Sequence, residues 1–86
     1  DLETRCYLRM TVDDKPRVLG QITTRLGEFD VSLTDMEMRV KDSVANIGEI
    51  VFLTHACRES SFRAAMRALE SESIVRSIDN WIRVES

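Results

Sequence analysis

The period of the hydrophobic residues changes at Pro16, the one proline of the chain. Over residues 6–12, apolar and polar side chains alternate, which is typical of a half-buried β-strand. From Val18 to Phe29, apolar residues recur at steps of four, four and three, which places them on one face of an α-helix. Proline is favoured in the first turn of a helix, because its missing N–H would have no intrahelical partner there. The sequence therefore predicts a strand, a tight turn and a helix in this order.

The turn that joins this strand to this helix carries two acidic residues. We expect Asp13 or Asp14 to cap the free N–H groups at the start of the helix. Those N–H groups and the partial positive charge of a helix N-terminus also favour the binding of a carboxylate. A small ligand with an α-carboxylate and an α-ammonium group could therefore use the N–H groups and the two acids together.

The rest of the chain continues the succession of strands and helices. Residues 31–40 predict a second strand, in which a bulge near Thr34 would reconcile two apolar registers. Residues 47–55 are apolar almost throughout and predict a central third strand, and residues 60–69 return to a helical period. Residues 77–84 predict a last strand with three apolar side chains in phase: Ile78, Ile82 and Val84.

The predicted order is β-α-β-β-α-β, within a single domain of residues 1–86. Two helices cannot cover both faces of so small a sheet. The expected fold class is therefore α+β, in the ferredoxin-like βαββαβ arrangement: a four-stranded antiparallel sheet with two helices on one face. A chain of this size buries a modest core and often gains stability from a partner subunit, so we expect a homodimer or a higher homo-oligomer.

Charge and residue content argue against several classes of function. A formal net charge of -3 disfavours phosphate contacts, so we expect no nucleic-acid partner, and the short apolar runs predict no membrane span. Two cysteines, Cys6 and Cys57, do not make a disulfide framework and indicate a reducing, cytoplasmic compartment. The one histidine, His55, lacks companion ligands at metal-site spacing. We expect no metal, no catalytic residue and no enzyme activity in this chain.

RNA binding is the alternative that the strand order itself raises. RNA-recognition domains share this order and stack bases on aromatic residues of their middle strands, where Tyr7 and Phe52 lie here. The third strand, NIGEIVFLTH, lacks the basic start and the paired aromatics of that signature. Glu49 also stands where a base or a phosphate would need a donor, so RNA binding is disfavoured.

A family resemblance covers nearly the whole chain. The stretch YLRMTVDDKPRVLGQITTRLGEFDVSL resembles the opening half of an ACT domain, the small amino-acid-sensing module of metabolic enzymes. The hallmark of that half is a strand, a D-x-P-G-V-L type turn, a helix and a strand that begins V-S or V-N. The closing half, EIVFLTHACRESSFRAAMRALESESIVRSIDNWIRVES, is similar to the C-terminal ACT domain of homoserine dehydrogenases.

The resemblance implies a parent enzyme that interconverts aspartate semialdehyde and homoserine with NAD(P). Its nucleotide-binding and catalytic domains would lie before Asp1, so this domain itself would hold no cofactor. The role of the domain would be feedback control, with threonine as the effector. ACT domains typically pair, and their ligands lie between the first turn of one chain and the second strand of its partner.

The ligand site that follows from this resemblance takes residues from two chains. The residues are Asp13, Asp14, Arg17, Val18 and Leu19 of one chain, with Ser32 and Thr34 of its partner. N–H groups at the helix start would bind the ligand's carboxylate, and Asp14 would accept from its ammonium group. The hydroxyl groups of Ser32 and Thr34 would bind polar atoms of the ligand across the interface.

Arg17 departs from the family pattern, which usually has glycine after the proline. If its side chain points outward, we expect weak threonine binding; if it folds inward, it occupies the pocket and blocks the ligand. A purely structural dimerisation module without a ligand is therefore the alternative function, and it shares every feature of the core.

Overall fold

The structure is a computed structural model and describes residues 3–84. Its elements follow one another along the chain as β1 (Glu3–Asp13), α1 (Val18–Glu28), β2 (Leu33–Asp42), β3 (Ile47–Thr54), β4 (Cys57–Arg58), α2 (Glu59–Glu70) and β5 (Val75–Val84). Neither helix in this range is long and apolar enough to cross a membrane.

The strands form one antiparallel sheet in which β1 is central. β3 pairs with β1 on one side and carries β2 at its outer edge, and β5 pairs with β1 on the other side. The short β4 pairs with the beginning of β1, through Thr4 and Cys57, after a two-residue bend at the end of β3. It therefore continues β3 after an irregularity, and the predicted ferredoxin-like βαββαβ order is confirmed.

The core lies between the sheet and the two helices. Alternate residues of β1 and β3 point into it, and the predicted apolar faces of both helices are confirmed as the surfaces that cover it. The buried side chains from these four elements are Cys6, Leu8, Met10, Val12, Val18, Ile22, Leu26, Ile50, Phe52, Phe62, Ala65, Met66 and Leu69. Full burial of one large apolar side chain contributes about 1.5–3 kcal/mol to the free energy of unfolding.

The bulge predicted in the second strand is confirmed. Leu33 pairs with Thr54 and Asp35 pairs with Leu53, so Thr34 is an extra residue in β2. The extra residue lets the apolar side chains before and after it face the same side of the sheet.

A second bulge, in β5, makes the predicted phase of the last strand wrong. Ile78 pairs with Met10 but Asn80 pairs with Arg9, so Asp79 is an extra residue between them. Ile78 therefore faces the helices, whereas Ile82 pairs with Tyr7 on the opposite face.

Hydrogen bonds from two neighbouring side chains stabilise the Asp79 bulge, and Trp81 packs towards the core after it. The Asp79 carboxylate accepts hydrogen bonds from the hydroxyl groups of Thr11 and Ser77, each at 2.6 Å. Trp81, rather than Ile82, packs on the inner side, with its ring centroid 5.2 Å from that of Phe62. The bulge thus brings the one tryptophan of the chain to the core.

An ion-pair cluster centred on Glu59 joins the start of α2 to β5. Glu59 accepts hydrogen bonds from Arg63, at 2.8 Å, and from Arg83 of β5. The hydrogen bond from Arg63, followed by that from Arg83, lowers the pKa of the Glu59 carboxyl. Because the folded pKa lies below the unfolded one, the stabilisation is complete above about pH 4.5 and is lost as pH falls through the folded value.

We therefore expect the wild-type chain to lose more stability than Glu59→Gln as the pH falls from 6 to 3. Urea unfolding at several pH values measures the difference. Glu70→Gln, at the other end of the same helix, is the matched control and should follow the wild-type profile. Parallel profiles for Glu59→Gln and wild type would contradict a pH-dependent stabilisation by the Glu59 ion pairs.

Candidate functional site

The start of α1 depends on the unusual backbone of Arg17. This residue has φ 73° and ψ -5°, the left-handed region, and it is the residue that precedes the helix. The first i to i-4 hydrogen bond of the helix runs from the Gln21 N–H to the Arg17 carbonyl, at 2.9 Å. The N–H groups of Leu19 and Gly20 therefore have no intrahelical partner and remain available at the helix start.

The prediction that Asp13 or Asp14 caps this helix is wrong. No side chain caps α1, because a capping side chain must come from the residue next to the helix, and that residue is Arg17. Asp13 is occupied elsewhere: its Oδ1 accepts from Arg76 Nε at 2.6 Å and its Oδ2 lies 3.8 Å from Lys15 Nζ.

Asp14 lies just after the end of β1, close to two residues that were not predicted to belong to the site: Met38 and Gly48. A Cβ atom added to Gly48 would lie 3.7 Å from Asp14 Cβ and 3.2 Å from Met38 Cε. The Asp14 N–H donates to the Asn46 carbonyl at 2.7 Å, which ties the turn to the β2–β3 hairpin. The side chains of Met38 and Asp14 thus approach the Gly48 backbone closely, and Met38 leaves no room for a side chain on residue 48.

An exposed apolar strip runs along the helix-facing side of β2. Its members, Met36, Met38 and Val40, pair with the inward-facing residues Phe52, Ile50 and Gly48 of β3. They are nevertheless 44%, 38% and 64% exposed, because β2 is the edge of the sheet. We call these three residues the β2 strip.

The predicted residues Ser32 and Thr34 lie at the far end of β2 from Asp14. The Ser32 carbonyl accepts from the His55 N–H at 2.8 Å, and the Thr34 hydroxyl donates to the Leu53 carbonyl at 3.2 Å. At about 3.3 Å per residue, the stretch of β2 from Thr34 to Asp42 is roughly 26 Å long. Within one chain, the structure therefore divides the predicted site residues into two separate groups.

The remaining predicted residues lie at the start of α1. Val18 is buried and Leu19 packs against the core with part of its side chain exposed. Arg17 is exposed and lines a groove on the outer surface of α1, whose other lining residues are Gly20, Gln21, Thr24, Arg25, Glu28 and Glu72. Asp14, Gly48 and Met38 do not border that groove.

The thiols and the histidine show no catalytic arrangement. Burial, with a smaller effect from Cys57, raises the pKa of the Cys6 thiol to about 11, and burial also raises the pKa of Cys57. Both thiols are therefore protonated near neutral pH and are poor nucleophiles. His55 is exposed in the bend between β3 and β4. Within residues 3–84, no group of three or more His, Cys, Asp or Glu side chains is placed to hold a metal ion.

The left-handed backbone of Arg17 gives a prediction about stability. A residue with a Cβ atom in this conformation costs about 1–2 kcal/mol, whereas glycine adopts it freely. After the greater unfolded-state entropy of glycine is subtracted, Arg17→Gly should raise the free energy of unfolding by about 0.5–1 kcal/mol. Arg17→Ala keeps the Cβ atom and should gain nothing. Urea denaturation of the three proteins measures this, and equal midpoints for Gly and Ala would contradict it.

Comparisons with known proteins show the family of this chain. The family model described as the ACT domain matches residues 7–73. A homoserine dehydrogenase of Synechocystis sp. is 37% identical over 100% of this chain, and the chain spans 19% of that relative. A homoserine dehydrogenase of Neisseria gonorrhoeae is 33% identical over 100% of this chain, which covers 20% of it.

Solved structures give the same result. The crystal structure of a homoserine dehydrogenase from Thiobacillus denitrificans superposes on 98% of this chain with a TM-score of 0.85 and 28% identity, over 18% of its own length. The ACT domain from GTP pyrophosphokinase of Chlorobium tepidum, at a TM-score of 0.70 and 18% identity over 96% of this chain and 100% of its own, shares the fold alone. The chain spans about one fifth of the curated relatives it matches. Since the family model covers most of the residues, from the middle of β1 to the end of α2, this chain belongs to the ACT domain family.

Proposed function

We propose that this chain is the amino-acid-sensing regulatory domain of a homoserine dehydrogenase and that its effector is threonine. The match of the whole chain to one fifth of several homoserine dehydrogenases supports this parent enzyme. Interconversion of aspartate semialdehyde and homoserine, and the NAD(P) that it uses, would belong to residues outside this chain. The chain itself would contribute feedback control.

The observation that carries the sensing role is the free helix start at the same end of the domain as Asp14. Within residues 3–84, the Asp14 carboxylate has no hydrogen-bond or ion-pair partner. The N–H groups of Leu19 and Gly20 precede the first helical hydrogen bond, and such groups bind carboxylates. Asp14 lies at the same end of the domain, and its neighbour Asp13 is already bound by Arg76. An α-amino acid would place its carboxylate on the helix start and its ammonium group on Asp14.

A second copy of the chain would complete this site. β2 has an unpaired edge, and its strip of apolar side chains is open to solvent on the helix side. Antiparallel pairing of β2 with β2 of a partner would cover the strip and extend both sheets. The end of β2 leads into the hairpin that holds Asp14 through Asn46. The antiparallel partner would therefore bring its own Ser32 and Thr34 to the turn of the first chain.

Ligand-linked dimerisation tests this proposal. If two chains share the site, threonine binds the dimer in preference to the monomer and shifts the equilibrium towards the dimer. Sedimentation equilibrium at about 10 mM threonine, roughly ten times a millimolar dissociation constant, should show a higher dimer fraction than without it. D-threonine, which has the same charged groups and the opposite chirality, is the control. An identical dimer fraction under all three conditions would contradict the shared site.

A structural dimerisation module without a ligand is the second candidate function. Arg17 favours it, because the turn pattern that this stretch resembles usually has glycine after the proline. The position of Arg17 favours the sensing role instead, since Arg17 lines the outer groove of α1, which Asp14 does not border. If the domain is such a module, the chain would dimerise through β2 and would not respond to threonine.

A further inference from the structure

The face of the sheet opposite the helices has an apolar centre. Tyr7 pairs with Leu53 on one side and with Ile82 on the other, so these three side chains lie in one row across β3, β1 and β5. Val51 and Val84 lie next to this row on the same face. Ile82 is 51% exposed and the other four are half-buried. Because both helices pack on the other face, no element within residues 3–84 covers these five residues, which we call the open-face patch.

The charged residues around the open-face patch balance one another. Arg39 lies 3.1 Å from Glu37, and Arg9 lies 4.0 Å from Glu49. A strongly acidic or strongly basic partner would therefore meet no field of opposite sign. A surface with an apolar centre and both charges around it fits a copy of itself, as a two-fold interface requires. The face carries three arginines and three acids: Arg5, Arg9, Arg39, Asp35, Glu37 and Glu49.

The size of this face indicates how many copies must meet on it. Four strands about 4.8 Å apart, with roughly eight residues each at about 3.3 Å, make a face of about 19 by 26 Å, or roughly 500 Å². Two single chains stacked on this face would bury roughly 1,000 Å², which is the lower limit of a stable interface. Two dimers already paired through β2 would bury about twice that area, which lies within the range of standard stable interfaces.

We propose that the open-face patch is a second self-association surface, on which two β2-paired dimers stack to form a tetramer. The inference rests on the pairing of β2 in the proposed function and goes beyond the sensing role. Two sheets that pack face to face lie about 10 Å apart and interdigitate the side chains between them. Stacking removes the apolar row of Tyr7, Leu53 and Ile82 from water, and the charges around it fix the orientation of the two sheets. Two-fold stacking of a two-fold dimer closes the assembly at four chains.

Sedimentation velocity of the 86-residue chain over a concentration series tests this surface. Wild type should pass from dimer to tetramer as the concentration rises. Ile82→Lys should raise the tetramer dissociation constant at least about tenfold and leave that of the dimer unchanged, because it buries an ammonium group only in the stacked assembly. Since Ile82 is half exposed in the single chain, the variant should fold with a urea midpoint near that of wild type. Ile82→Thr keeps a β-branched side chain for the strand and should weaken the tetramer by a smaller factor.

Val44→Lys is the matched control. Val44 is 92% exposed in the turn between β2 and β3, outside the sheet, so the same substitution there should keep the wild-type tetramer. Wild type that stays dimeric at the highest concentration, or Ile82→Lys that forms the tetramer as readily as wild type, would overturn the second surface while the sensing role stands. If Ile82→Lys separates the dimer itself, the open face is the dimer interface, and the tetramer and the ligand site shared through β2 both fail.

Discussion

Asp14→Asn should abolish measurable threonine binding to this chain. The substitution keeps the size of the side chain and the backbone hydrogen bond from residue 14 to Asn46, and it removes only the negative charge. A hydrogen bond to a charged group contributes about 1.5–3 kcal/mol, which corresponds to roughly 10–150-fold in affinity. From a dissociation constant near one millimolar, such a loss takes binding beyond the range of a normal titration. Direct calorimetric titration measures it.

Asp13→Asn is the matched control for this prediction. Asp13 is the adjacent acid, but its oxygens are bound to Arg76 and approached by Lys15. The variant should lose some stability, because the Arg76 guanidinium loses its partner, while threonine binding stays within about threefold of wild type. Equal losses of binding in the two variants would mean that general negative charge, rather than the position of Asp14, holds the ligand.

Val40→Lys should prevent the self-association of the chain. Val40 belongs to the β2 strip and is 64% exposed in the single chain, so a lysine there is tolerated by the monomer. In a dimer paired through β2, the same ammonium group would be buried without a partner, which costs several kcal/mol. Sedimentation velocity over a concentration series should show at least a tenfold rise in the dimer dissociation constant.

Ile82→Lys separates the two edges of the sheet in this test. Ile82 is 51% exposed, but it lies on β5, the opposite edge, and on the face away from the helices. Its replacement should leave the dimer dissociation constant unchanged if β2 forms the interface. Dissociation by Ile82→Lys and none by Val40→Lys would move the interface to the other edge or to the open face of the sheet.

Periodicity predicted those parts of the fold that local pattern controls. The bulge at Thr34 was visible because the apolar residues of the second strand fall on opposite sides before and after it. The bulge at Asp79 was not visible, because Trp81 and Ile82 are adjacent apolar residues and either register places one of them on the inner face. In the structure, Trp81 faces the core, where its ring packs on Phe62.

The candidate site was only partly predictable, because its geometry depends on long-range contacts. The turn and the free helix start follow from local sequence, but the pairing of Asp13 with Arg76 joins residues 63 positions apart. That pairing leaves Asp14 as the acid that we propose for the ligand. Gly48, a glycine within an almost wholly apolar strand, is the sequence feature that marks the close approach of Met38 and Asp14. The left-handed backbone at Arg17 could have been inferred from the glycine that the family usually has there.

The most direct test of the sensing role is calorimetric titration of L-threonine into the wild-type chain and into Arg17→Gly, at a concentration where both are dimeric. We predict saturable binding to wild type with a dissociation constant near one millimolar, about -4 kcal/mol, and equal or tighter binding to Arg17→Gly. A folded, dimeric Arg17→Gly that binds no threonine would contradict the sensing role and leave the structural dimerisation module as the function of this domain.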